Sequence, residues 1–200
     1  MVIAESKDLI IRQLVTEDAK AFSDMAKDGS LEGVGFSKDC YQWMDNWIKE
    51  TKKLNNDDNP LKDYLAYTLE EKRTGKVVGS VGCSYYDDFD TVGICYFISA
   101  EYRNKGYATQ AADAYVQYYF DNYDLPEIIA TIKDINVASW KVAEKTGFEL
   151  SDTRMYKDIN DECEEMYRFY RREKCSDWYL RTTISQMHFG KNRDIPLEQI

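Results

Sequence analysis

Residues 94–112 read ICYFISAEYRNKGYATQAA. An apolar run rich in β-formers closes at Ile98, a basic turn with one glycine follows at Arg103–Ala108, and an alanine-rich helix begins directly behind it. That order predicts strand, tight loop and helix N-terminus in succession. The first N–H groups of a helix have no intrahelical acceptor and point outward, so a junction of this kind cradles a phosphate. Gly106 leaves the backbone bare where an anion approaches. The segment therefore predicts a phosphorylated ligand.

The rest of the composition narrows the setting. At 200 residues, 44% of them hydrophobic, the chain fits one domain with a core that needs neither metal nor disulfide. A net charge of −10 argues against nucleic acid and against an anionic membrane as partners. An acidic field draws cations, amines among them, although many acidic proteins carry such charge for solubility alone. The five cysteines, at 40, 83, 95, 163 and 175, form no C-x-x-C pair and have one histidine, His188, to join them. No metal site is expected, and unpaired thiols point to a reducing cytoplasm. The N-terminus, MVIAESKDLI, lacks the charged and apolar regions of a signal peptide.

Outward from the opening segment, 8–15 predicts a strand and Thr16 a helix cap, with Asp28-Gly29 stopping that helix. An apolar stripe from Cys40 through Trp43, Met44, Trp47, Ile48 and Thr51 to Leu54 predicts a helix over 37–54, followed by the polar loop 55–60. Strands follow at 64–70, 77–86 and 91–98, then a helix over 107–122. The run EIIATIK at 127–133 reads as a strand inside a parallel sheet. Asn136 caps a short helix ended by Gly147, and 148–150 with 164–171 close the fold as strands. The whole predicts an α+β domain over 1–172 with a mixed central sheet flanked by helices. Residues 173–200 form an extension in which Trp178, Leu180, Thr182 and Ile184 alternate, and it is expected to dock on the body or on a partner subunit, making a homodimer.

The loop lacks G-x-x-x-x-G-K-[ST], and no further glycines complete G-x-G-x-x-G. Arg103-x-x-Gly106-x-Ala108 instead resembles the pyrophosphate loop of the GCN5-related N-acetyltransferases (GNAT superfamily). The later block Asn136-Val-Ala-Ser139-Trp-Lys-Val-Ala143-Glu-Lys-Thr-Gly147-Phe148 is similar to that family's second signature. The branch it resembles most is the ribosomal-protein N-terminal (alanine or serine) acetyltransferases, over about residues 8–172. The resemblance implies the GNAT fold, acetyl-CoA as co-substrate, and a primary amine as acceptor, either a peptide N-terminal α-amine or a small amine.

It also implies a site. The pantetheine arm would pair with backbone near Phe97, Ile98 and Ser99, and the pyrophosphate with N–H groups of Arg103, Asn104, Lys105, Gly106, Tyr107, Ala108 and Thr109. Asn136 and Ser139 would touch the pantetheine, or serve only as capping residues, and Lys141 could reach a phosphate. A backbone N–H at Phe97 or Ile98 would polarise the thioester carbonyl. Two positions depart from the family. Ala143 stands where many members have a tyrosine acid, and Gly93 where many of the branch have a glutamate. Without an evident base, direct attack by an amine of low pKa, with its proton relayed through water, is expected. Asp87 and Asp88 are candidates to hold a cationic acceptor, against the alternative of a solvated acidic turn. Tyr85, Tyr86, Tyr156 and Tyr167 are candidates to line the same cleft or simply to pack. A non-catalytic acyl-CoA sensor and an interaction module acting through the extension are the alternative functions.

Overall fold

In a computed structural model that describes residues 1–159 and 161–174, the chain runs β1 (Val2–Glu5), β2 (Leu9–Arg12), α1 (Asp18–Ala26), α2 (Met44–Asp57), β3 (Tyr64–Glu71), β4 (Lys76–Tyr86), β5 (Thr91–Ile98), α3 (Tyr107–Asn122), β6 (Glu127–Lys133), α4 (Val137–Lys145), β7 (Glu149–Tyr156) and β8 (Glu165–Glu173). Short 3-10 turns lie at Glu32–Val34, Cys40–Gln42, Asp87–Phe89 and Ala100–Tyr102. The expectations for the extension, Trp178 to Leu197 with His188, and for Cys175 fall outside the described residues.

The strands form one mixed sheet in the order β1-β2-β3-β4-β5-β6-β8-β7, antiparallel except for β5 against β6. Helices α3 and α4 cover one face, where Tyr67, Tyr115, Tyr119 and Ile128 are buried with Val78 and Ile98. Helices α1 and α2 cover the other with a smaller core of Leu14, Phe22, Phe36, Met44 and Ile48. Phe97 packs edge-on against Phe22 and Phe36 in that second core, with ring centroids 5.8 and 5.4 Å away. Alternation along β5 therefore sends Ile94, Tyr96 and Ile98 to the α3–α4 face and Gly93, Cys95 and Phe97 to the α1–α2 face.

Several boundaries differ from the sequence reading, among them the start of α2, at Met44 behind a 3-10 turn and not at 37; at the start of α1 and the end of α2 a tertiary contact outweighs local propensity. Helix α1 starts at Asp18, not under a Thr16 cap, and makes no side-chain cap bond. Asp18 instead turns inward to accept from Arg12 Nη1 and Nη2 at 2.8 and 2.9 Å, from Thr68 Oγ1 at 2.7 Å and from the Val15 N–H. Helix α2 runs on through Asp57, across the predicted loop, because buried Asn55 bonds Gln13 Oε1 and the Ala66 carbonyl. Strand β7 is longer than 148–150, and β1 was not expected at all; it adds to β2 as a short edge.

The Arg12 cluster supports a first prediction. Burial alone would raise the Asp18 carboxyl, but hydrogen bonds from Arg12, Val15 and Thr68 outweigh it and hold the pKa below the usual value. Its stabilising effect is therefore present at neutral pH and is lost only as pH falls through that lowered pKa. Arg12→Ala would strand the carboxylate and is expected to cost about 3–5 kcal/mol in denaturant unfolding.

Candidate active site

Strands β5 and β6 pair through a single register position, Gly93 with Ile129. Beyond it the two parallel strands diverge, and the second half of β5 has a partner on one side only. Which backbone groups face the opening follows from the β4–β5 ladder. Ser99 N–H bonds the Val78 carbonyl at 2.9 Å, and opposite residues in an antiparallel pair alternate between bonded and unbonded. Ser99 and Phe97 thus spend their groups on β4, whereas Tyr96 and Ile98 turn theirs into the gap. The Ile98 carbonyl agrees, since it accepts from Arg103 Nε at 3.3 Å rather than from β4. Of the backbone donors expected at Phe97, Ile98 and Ser99, geometry leaves Ile98. The splayed Tyr96–Ile98 edge can take an extended chain of amides as a missing strand would.

The loop beyond Ile98 is exposed and preshaped. Asn104 and Gly106 both adopt the left-handed conformation, at φ 62° and 76°. A Cβ at Gly106 would meet nothing within 4 Å, so glycine is required there by its φ and not by crowding from the protein. The first bond of α3 runs from Gln110 N–H to the Gly106 carbonyl. The N–H groups of Tyr107, Ala108 and Thr109 precede it, and no side chain caps the helix. Backbone donors converging on open space beside Lys105 and Arg103 suit an anion such as a pyrophosphate.

The Tyr107 side chain is not part of this cradle. It is buried and donates to Glu71 Oε1 at 2.5 Å. That bond brings the β3–β4 hairpin to the start of α3, and Lys7, Asp8, Glu71, Lys72, Arg73 and Tyr107 line one shallow depression there. The hairpin's positive charges escaped the sequence reading, although K-R-T-G-K at 72–76 is a basic cluster in an acidic chain.

On the far side of the opening, Asn136 accepts from Ser139 N–H at 3.2 Å as the cap of α4. The Ser139 carbonyl accepts from the Tyr96 hydroxyl at 3.1 Å, tying α4 to β5. Burial lifts that phenol to about 12, so it remains a proton-bearing donor at neutral pH. Lys141 stays on the surface, 5.7 Å from the centre of the Trp140 ring.

The α1–α2 face of the same opening carries a second cleft of about 270 Å³, lined by Glu32, Gly33, Lys133, Asp158, Asp161 and Tyr167. Lys133 is matched by Asp161 at 2.6 Å and Glu165 at 2.5 Å, and Asp161 also accepts from the Tyr167 hydroxyl. Asp158 is different. Its Oδ1 accepts from Ile159 N–H at 2.6 Å, and among the described residues no cation forms an ion pair with it, the nearby Lys133 acting on it only through its field. Burial, reinforced by Asp161 and Asp88, pushes its pKa up.

The field of Asp158 reaches the middle of β5. Cys95 points to the same face of the sheet, and desolvation of its thiol, with Asp158 adding, pushes it up to about 11. Tyr86 is raised as well, by Cys95 first, then burial and Asp158. The Tyr86 ring lies over Gly93, where a Cβ would come 2.5 Å from it, and Thr131 of β6 donates to its hydroxyl. A glutamate at Gly93 has no room while that ring is in place. The departure from the family pattern is thus built into the packing.

The two expected acceptor carboxylates part company. Asp88 accepts from the Tyr156 hydroxyl at 3.1 Å and acts on Asp158, so it lies at the cleft. Asp87 acts on Tyr85 instead, whose hydroxyl bonds Asp90. Tyr86, Tyr156 and Tyr167 gather around the cleft, while Tyr85 packs against the α3–α4 core. Asp158 escaped the sequence reading because an aspartate in the polar run 157–165 carries no local mark of burial. Among the described residues no cluster of metal-ligating side chains occurs, and no helix is long and apolar enough to cross a membrane.

A splayed parallel strand pair that can take an extended chain of amides, with an anion loop at the helix start beyond it, is the arrangement that a transferase using an acyl-CoA needs. The chain matches the family model for the acetyltransferase (GNAT) domain over residues 8–149, and it belongs to that family. It is accordingly an N-acetyltransferase that draws its acetyl group from acetyl-CoA and delivers it to an amine. It is 29% identical over 149 residues to the uncharacterised N-acetyltransferase YnaD of Bacillus subtilis, covering 71% of this chain and 79% of that one. Its fold is similar to that of a GNAT-family acetyltransferase from Bacillus anthracis, with TM-score 0.71, 20% identity, and coverage of 87% and 99% of the two chains. It is also similar to RimL, a ribosomal L7/L12 α-N-protein acetyltransferase in complex with coenzyme A, with TM-score 0.73, 14% identity, and coverage of 88% and 100%.

Proposed function

We propose that the acceptor is the N-terminal α-amine of a peptide, entering by the α1–α2 face, and that Asp158 takes the ammonium proton. The observation that carries this reading is the partly buried Asp158 carboxylate, which forms no ion pair among the described residues and whose field reaches Cys95 on β5. Acetyl-CoA supplies the acetyl group as a thioester. The Tyr96 and Ile98 backbone groups hold the pantetheine as an added strand, and the N–H groups of 107–109 with Lys105 hold the pyrophosphate. Ile98 N–H, turned into the gap, donates to the thioester oxygen as negative charge builds on it. Asn136 and Ser139 flank the arm from α4.

The α-amine is favoured over lysine by magnitude. With a pKa of about 7.7–8.0 it is roughly 10–15% neutral at pH 7, against below ~0.1% for lysine at about 10.4. A single carboxylate of raised pKa can manage the first. Glu32 and Asp88 add negative charge for a cationic terminus, and the RimL likeness in fold is consistent with a peptide acceptor. Release of coenzyme A thiol with a panel of peptides, free lysine and small amines tests the proposal. Turnover with α-amine peptides over lysine at equal concentration is expected. Preference for side-chain lysine, or cofactor binding without turnover, would overturn it.

The anion cradle gives its own expectation. Lys105 stands over the Tyr102 ring at 4.6 Å, with its charge free to face a phosphate. Lys105→Ala should raise KM for acetyl-CoA roughly fivefold at low salt, less at high salt, with kcat kept. A KM that stays put at low salt would remove Lys105 from the cradle.

A further inference from the structure

Strand β7 is the one edge of the sheet that nothing among the described residues covers. Residues 149–155 are all exposed, so both faces of the strand are open, and Leu150 and Met155 are each 51% exposed. It contains neither proline nor glycine, and bare edges of this kind are normally blunted or paired.

The hydrogen-bond phase of that edge can be read from its neighbours. Asp134 N–H bonds the Met166 carbonyl at 2.8 Å, so the even-numbered residues of β8 near Met166 spend their groups on β6. Tyr167 and Phe169 then bond β7 through Arg154 and Asp152, which they face in the register. Thr153 and Met155 are left with N–H and C=O pointing away from the sheet. The Thr153 N–H is held only by the neighbouring Asp152 carboxylate, at 2.8 Å.

We propose that β7 pairs edge to edge with β7 of a second copy of this chain, antiparallel about a two-fold axis at Thr153. Thr153 then faces its own copy and exchanges both backbone bonds with it. Asp152 faces Arg154 of the other copy, and Arg154 faces Asp152, on one side of the joined sheet. At present those two side chains pair within the strand at 2.8 Å, so across the axis they close an alternating group of four charges. The strand ends also match, since Glu149 and Lys157 are of opposite sign.

Other registers are worse. Placing the axis at Asp152 or Arg154 sets a charge against its own copy, and placing it at Met155 brings Asp152 against Asp158; like charges opposite one another destabilise a sheet. In a chain of net charge −10, the stretch 149–157 carries two acidic and two basic residues, so its self-association escapes the general repulsion.

Sedimentation of the full chain across the micromolar range tests the pairing. The wild type is expected to be dimeric. Asp152→Arg and Arg154→Asp should each weaken the dimer roughly tenfold or more, because each places like charges opposite at two symmetric positions. The double variant restores the match and should dimerise within about threefold of wild type. Thr153→Pro removes an outward N–H that β8 does not use, and should give a folded monomer. A monomeric wild type would overturn the proposal. So would single variants that dimerise as wild type, which would locate any interface elsewhere, in the 173–200 extension for example. A double variant as weak as the singles would overturn the register.

Discussion

Replacing Asp158 with asparagine is expected to lower kcat/KM for an α-amine peptide by about a hundredfold, the ordinary scale for a lost general base. Asparagine keeps an oxygen for the Ile159 N–H and removes only the charge and the proton-accepting capacity. The pH profile separates this from a structural effect. Asp158 has a raised pKa, so its carboxylate form, the one that accepts a proton, is lost as pH falls through a point above the ordinary value for an aspartate. Wild-type activity should show an acid limb there, and Asp158→Asn should lack it. Stability should not fall. A carboxylate whose pKa is higher folded than unfolded destabilises the native state at neutral pH, so neutralising it leaves the melting temperature unchanged or slightly higher. A loss smaller than about fivefold with the limb intact would take Asp158 out of proton transfer.

Gly79→Ala should be a severely damaging single methyl beside the splayed half of β5. Gly79 of β4 faces Ile98, and a Cβ there would come 2.1 Å from the Phe97 carbonyl oxygen and 3.1 Å from the Ile98 Cα. Neither neighbour is a flexible side-chain end, so β4 and β5 must part where Ile98 N–H is aimed. We expect a cost of about 3 kcal/mol or more from overpacking against backbone. For a chain of this size that is a fall of roughly 6–12 °C in Tm. Because the same movement displaces the Ile98 N–H that we propose faces the thioester, kcat should fall at least tenfold, on the scale of a lost oxyanion-hole donor at about 10²–10³. Gly75→Ala is the control. It has open space around it and φ 68°, so it should cost only the ~1–2 kcal/mol of left-handed strain and leave kcat unchanged.

Much of this was legible in local pattern. The strand at 91–98, the helix at 107–122 and the strand at 127–133 lie where periodicity and punctuation place them. The anion loop could be read because its chemistry is contiguous, with one glycine of required φ and the helix start within a few residues. The length of strand β7 beyond residue 150 could not be read, because a sequence exposed on both faces shows no alternation of apolar and polar residues. The end of α2 was hidden for the opposite reason, since Asn55 looks like a loop residue until Gln13 and Ala66 supply its bonds.

The sequence by itself determined the acetyl donor of this enzyme, since the strand, the tight turn with one glycine of positive φ and the helix start are consecutive residues and leave a contiguous signature. Only the tertiary structure bears on the acceptor side. Which backbone N–H faces the gap depends on ladder phase, the fit of glycine at 93 on the Tyr86 ring, and the raised pKa of Asp158 on burial beside Asp161 and Asp88. Those are relations between residues distant in the chain. They come into being only when β4, β5, β6 and the β7–β8 loop meet.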